Sequence, residues 1–199
     1  MKWLRKVATD EAFGEWLRHE YQNRSNMKAF IESNYPRYVQ AIVNPDFGNS
    51  RENEIRFGIL LQIRQWVPSI KSADWWVAEY DITDLATFKL INSGDWRFLS
   101  GGTLNAIHTA TNLENDPAHR RGVHGAQVNS ILDNSEKLAK TTSKVTIMAD
   151  SRTGPFTVVD GVHRTVAAAL HYKVRRAEAF PTKEAYFGLV SSPFNLRFN

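Results

Sequence analysis

The stretch Phe156-Thr157-Val158-Val159-Asp160-Gly161-Val162-His163-Arg164-Thr165-Val166-Ala167-Ala168-Ala169-Leu170 constrains this chain most. Its first third is β-branched and aromatic, which suits a short buried strand. Its last third is rich in Ala and Leu, which suits a packed helix. Asp160-Gly161 lies between them, and Gly161 permits a turn that a Cβ would resist. Strand, tight turn and helix are therefore predicted in that order. The first helical turn carries His163 and Arg164, where helix N-termini ordinarily favour acidic side chains. Unpaired backbone N–H groups, an imidazole and a guanidinium together suit an anion, above all a phosphate. The same letters also admit a plain structural reading, with Arg164 paired to a nearby carboxylate and His163 capping or packing.

Asp160-Gly161-Val162-His163-Arg164 followed by Thr165-Val166-Ala167-Ala168 resembles the Asp-Gly-x-His-Arg-x-x-Ala-Ala signature of the ParB/sulfiredoxin superfamily. That group includes ParB N-terminal domains, sulfiredoxin, free-serine kinases and related proteins of phage-defence systems. The resemblance covers roughly residues 76 to 182. It implies an α+β fold with a ParB/sulfiredoxin-like core of a small mixed sheet and helices, over residues 71–199. A helical N-terminal region, residues 1–70, precedes it. The implied ligand is ATP, ADP or CTP, with Mg²⁺ if a nucleotide is used.

For the site, the resemblance implies that His163 and Arg164 hold phosphate oxygens. Gly161, Val162 and Thr165 line the nucleotide cradle, and Asp160 orients Arg164, binds a hydroxyl or acts as a base. In the serine kinases a separate Glu is the base, and Glu79 or Asp81 on an early strand is the counterpart expected here. An Arg-containing segment helps hold phosphates in ParB-like domains. Here Arg120, Arg121 and His124 stand at matching spacing in His119-Arg120-Arg121-Gly122-Val123-His124-Gly125. Those residues also read as a solvated basic loop. Sulfiredoxin carries a Cys where this chain has Val162, and the chain has no Cys, so thiol chemistry is excluded. Fewer than 30 residues follow Leu170, too few for the DNA-binding module of partition proteins.

Elsewhere the pattern is helical first and mixed afterwards. Thr9 caps an expected helix over 9–22, and further helices are expected over 27–32, near 38–43 and over 52–66. Their Trp and Tyr residues sit at helical spacing, the mark of a core rather than a stacking platform. Strands are expected over 75–82, 145–149 and 177–180, the second forming a hairpin with the signature strand. Helices are expected over 84–91, 104–113 with Thr103 as cap, 127–138 and 184–190. Ser100-Gly101-Gly102-Thr103 reads as a flexible turn or a phosphate cradle, and it lacks the Gly-Lys-Ser/Thr of a P-loop. The aromatic tail 193–199 is expected to pack on the body or on a second copy in a homodimer.

A formal charge of +4 with scattered basic residues suits an anionic small molecule better than a nucleic-acid duplex. His119 and His124 have no sequence-adjacent carboxylates in a metal-ligand pattern, so no metal site is expected. No apolar run approaches the ~18 residues of a membrane span, and no secretory leader is read, which points to the cytoplasm. The function expected is that of a nucleotide- or phosphate-binding enzyme, a nucleotide-dependent phosphotransferase (kinase) or NTPase acting on a small molecule. The alternative is a non-catalytic nucleotide sensor or protein/DNA-interaction module, and nuclease activity is a third, weaker option. This reading predicts that Arg164→Ala abolishes nucleotide binding, measured by calorimetry, and retained affinity would remove the assignment.

Overall fold

The structure, a computed structural model, describes residues 1–134 and 144–190. It is an α+β fold with a mixed sheet of six strands among the described residues. The chain folds as two compact units, one formed by Lys6–Trp75 and the other by Met1–Arg5 with the chain from Trp76 onward.

The first unit is built from α1 (Thr9–Asn23), α2 (Ser25–Asn34), α3 (Val39–Val43) and α4 (Ser50–Ile63). Phe13, Trp16 and Leu17 of α1 and Ile59 and Leu60 of α4 are buried, so the aromatics at helical spacing are core. Phe13 stacks on Phe57 with centroids 5.7 Å apart. Thr9 is the first helical residue of α1 rather than its cap, which falls on Ala8. Asn49 caps α4 by accepting from the Glu52 N–H at 3.2 Å.

Two charges are buried here with partners. Glu20 accepts from Arg24 Nη1 at 3.1 Å and from the Arg64 guanidinium. Arg56 is 2% exposed and donates to the Ala41 and Asp46 carbonyls, to Asn53 and to Glu52. These bonds tie α4 to the chain around α3.

The second unit holds the sheet. Its strands are β1 (Lys2–Lys6), β2 (Asp74–Tyr80), β3 (Lys89–Leu90), β4 (Val145–Ala149), β5 (Phe156–Asp160) and β6 (Lys183–Leu189). Their spatial order is β1-β2-β6-β4-β5-β3. The expected β4–β5 hairpin is antiparallel, with Ile147 opposite Val158 and Ala149 opposite Phe156. The last strand, β6, lies parallel to β4, and β3 lies parallel to β5. Side chains alternate across a strand. Ala78, Tyr80, Val145, Ile147, Val158, Ala185 and Phe187 share one buried cluster with the helices that follow.

Those helices are α5 (Ile82–Leu85), α6 (Gly94–Leu99), α7 (Ala106–Asn115), α8 (Pro117–Arg121), α9 (Val123–Leu132) and α10 (Val162–Ala168). The chain of α10 widens into π-type turns over Ala169–Val174. Alanines at 167, 168 and 169 are buried and let α10 lie close to its neighbours.

Several local expectations are corrected. The helix expected over 84–91 stops at Leu85, because Lys89 and Leu90 pair with Thr157 and Val158 of β5. Its cap is Asp81, in a reciprocal capping box with Asp84. The Thr83 hydroxyl foremost, and then the Asp84 and Thr83 N–H groups, donate to the Asp81 carboxylate and hold it below its usual range. The cap of α7 is Asn105, which accepts from the Ile107 and His108 N–H groups at 2.9 and 3.2 Å. Ser93 opens α6. The basic segment 119–125 is the end of α8 and the start of α9 rather than a loop, with Gly122 extended between them, since Asp116 and Pro117 start α8.

Residues 177–180 form no strand, and 183–189 are strand instead of helix. Tyr186 and Phe187 favour a strand, Gly188 disfavours a helix, and pairing with β4 decides between them. The tail 193–199 and the end of the helix expected over 127–138 lie outside the described residues. Among the described residues no helix is long and apolar enough to cross a membrane.

Arg56→Ala takes the donor away from the Ala41 and Asp46 carbonyls, at roughly 0.5–1.5 kcal/mol for each hydrogen bond lost. A lower urea midpoint with the variant still folded in buffer is expected, and an unchanged midpoint would show the network to be idle.

Candidate functional site at the turn between β5 and α10

The predicted strand, turn and helix are present. Gly161 is left-handed, with φ 79° and ψ 21°, and caps α10. A Cβ on it would stand 2.5 Å from Val145 Cγ1 and 2.8 Å from Arg164 Nη2. Both the backbone angle and the packing therefore demand glycine. Val162 is buried directly after it. Thr165 turns its hydroxyl back to donate to the Gly161 carbonyl at 3.1 Å.

Arg164 takes the plain structural role in part. Its Nη2 lies 3.6 Å from Asp160 Oδ2 and donates to the Lys144 carbonyl at 3.4 Å. Only 15% of the Arg164 side chain and 12% of Asp160 are exposed. The guanidinium acts on two neighbours, in each case second to burial. Burial holds the Lys183 ammonium below its ordinary range, and the Arg164 charge adds to that effect. Burial pushes the Tyr80 phenol up to about 12, while Arg164 pulls it the other way.

His163, one residue before Arg164, meets His124 of α9. His124 Nδ1 and His163 Nε2 are 2.8 Å apart. His124 Nε2 is in turn 3.1 Å from Asp95 Oδ2 of α6. Trp96, beside Asp95 and 4% exposed, lies against both imidazoles, with centroids 4.5 Å from His124 and 5.0 Å from His163. A carboxylate, two imidazoles and an indole from three helices thus converge beside the glycine turn.

The approach of α9 depends on Gly125. A Cβ there would lie 2.6 Å from the Arg120 carbonyl and closer still to that of His119. This glycine lets α8 and α9 meet, and that close approach is to backbone of the same chain.

The remaining expected residues are elsewhere. Arg120 donates to the Leu113 and Glu114 carbonyls and to the Glu114 carboxylate, tying α8 to the end of α7. Arg121 is exposed at the end of α8. Glu79 pairs with Lys2 at 3.2 Å. By alternation it faces away from Tyr80 and the helices that carry His124 and His163. Asp81 is spent on capping. In the turn before α7, Thr103 donates to the Ser100 carbonyl at 3.0 Å and the Ser100 hydroxyl accepts from the Leu104 N–H at 2.8 Å. Both hydroxyls serve the turn itself. His108 Nδ1 lies 3.0 Å from Thr103 Oγ1.

Sequence reasoning missed Asp95 and Trp96. Ser93 followed by an acid two residues later is a helix-start pattern, and it was the one available signal. Nothing local links Asp95 to His124, 29 positions on. Among the described residues no group of three or more His, Cys, Asp or Glu side chains is arranged to hold a metal ion. Compared with family models, curated proteins and solved structures, the chain matches none.

Two outcomes are expected. Gly161→Ala adds strain of roughly 1–2 kcal/mol from the left-handed angle, beyond the collision with Val145, so its melting temperature falls. A melting temperature equal to wild type would contradict this geometry. The raised Tyr80 pKa gives stability that is fully present below pH ~10 and is lost as pH rises towards about 12. Tyr80→Phe, followed by alkaline unfolding, should show a shallower loss across that window; an identical slope would exclude Tyr80 as the cause.

Proposed function

We propose that this chain binds a phosphorylated small molecule, with a nucleotide as first candidate, at the turn opening α10. It acts there by phosphoryl transfer or hydrolysis. The observation that carries this reading is the meeting of His163 and His124, 2.8 Å apart. The signature and the basic segment each read separately as phosphate-holding, and the fold joins them through these two rings.

Physical chemistry supports the same ligand class. Arg164 and Lys183 place positive charge near the turn, and burial disfavours the ammonium of Lys183. An anion bound there would stabilise both cations. Phosphoryl transfer mainly requires charge neutralisation and alignment, which such groups supply. The resemblance of Asp160–Arg164 to the ParB/sulfiredoxin signature supports the reading and implies ATP, ADP or CTP. Mg²⁺ would arrive on the phosphates, where it screens their charge. In this scheme Arg164 orders the turn through Asp160, and His163 is the group that faces chemistry.

The engagement of Arg164 with Asp160 and the Lys144 carbonyl favours a second reading, in which the turn binds ligand without turnover. Product formed over many cycles would reject it.

A thermal-shift screen against ATP, ADP, CTP, GTP and sugar phosphates, with and without Mg²⁺, tests the proposal. Ligand at a hundredfold excess over its Kd adds about 2.7 kcal/mol to the native state. A rise in melting temperature with one ligand, lost in His163→Ala, is expected. No rise with any ligand, from folded protein, would overturn the proposal.

A further inference from the structure

Three large apolar side chains are exposed among the described residues: Leu4, Phe98 and Val123. Leu4 lies on β1. The other two adjoin the contact between Asp95 and His124. Phe98 follows Asp95 by three positions in α6, and residues so spaced are neighbours on one helix face. Val123 precedes His124 at the start of α9. Phe98 is 70% exposed and Val123 74%. The fold makes little use of either. Helix α6 is anchored by Trp96 and Leu99, which are buried. The Phe98 ring stands edge-on to the ring of His119 in α8, with centroids 5.0 Å apart, and keeps most of its surface in water. Single apolar residues scattered over a surface are ordinary, but two beside one candidate site are not scattered.

The size of the patch narrows what it suits. Two side chains are too few to cover an acyl chain, and a sugar presents mainly hydroxyls. A flat aromatic ring needs only one such face, because stacking concentrates apolar contact in a small rigid area. Bases stack on Phe and His in this way.

We propose that Phe98 and Val123 are specificity-determining residues that receive the base of a nucleotide whose phosphates lie at the turn opening α10. The inference rests on the reading of that turn as a phosphate site, and it selects a nucleotide over a sugar phosphate. Charge is met at the turn and apolar area at α6 and α9, so different elements hold the two ends of the ligand. A phenyl face and an isopropyl group form no hydrogen bonds. They distinguish a ligand with a base from one without, and not one base from another.

The test is calorimetry with Mg²⁺, comparing ATP, CTP and GTP with inorganic triphosphate, which has the phosphate chain and no base. The nucleotides are expected to bind more tightly than triphosphate. Phe98→Ala is expected to weaken all three nucleotides roughly tenfold and to leave triphosphate unchanged. Phe98→Tyr, which keeps the ring, should retain the wild-type affinities. Because Phe98 is exposed, the alanine variant should melt as wild type does. Triphosphate binding as tightly as the nucleotides, or nucleotide affinity unchanged in Phe98→Ala, would overturn the inference while the phosphate site stands. Binding of neither nucleotide nor triphosphate would overturn it together with the reading beneath it. A dimer that Phe98→Ala breaks, with nucleotide affinity kept, would assign the patch to a second copy and likewise overturn it.

Discussion

The close packing around Gly161 is the constraint on which the rest of the site depends. With φ at 79° the chain leaves β5 and enters α10 within one residue. The space a side chain would need is filled by Val145 and by the guanidinium of Arg164. That guanidinium is held by Asp160 at the end of β5 and by the Lys144 carbonyl before β4. The signature arginine therefore binds the turn to the hairpin that carries it. His163 is left as the member of the signature that faces a neighbouring helix, and it inherits a defined direction because the turn beneath it is fixed.

A second close approach sets what His163 meets. Gly125 brings α9 against the carbonyls at the end of α8, and His124 is the residue before it. On the other side, Ser93 opens α6 so that Asp95 and Trp96 stand in its first turn. The buried Trp96 supplies an apolar wall for both imidazoles, which excludes water from one side of the pair. The result couples a buried aromatic, two titratable rings and an exposed carboxylate. The partners come from three different helices, so the arrangement exists only in the folded chain.

Legibility varied with how local the cause was. The β4–β5 hairpin, the turn at Gly161 and the helices of Lys6–Trp75 were readable because alternation, glycine chemistry and helical spacing act over a few residues. Lys89-Leu90 and Glu184–Val190 were misread because both segments are ambiguous alone, and strand pairing with β5 and β4 resolved them. Arg120 looked like a phosphate ligand because charge is visible in a sequence. Its commitment to Leu113 and Glu114 is not, since it depends on where α7 ends.

The sequence by itself determined the strand-turn-helix at 156–170, the absence of thiol chemistry, and the pairing of glycine with His163 and Arg164 at one turn. Local backbone preference and residue chemistry suffice for those. Only the tertiary structure decided that Arg164 serves Asp160 and that His163 faces His124 and Asp95. Contacts across 29 and 39 positions arise from helix packing, and no short-range propensity encodes which side chains such packing brings within hydrogen-bond reach.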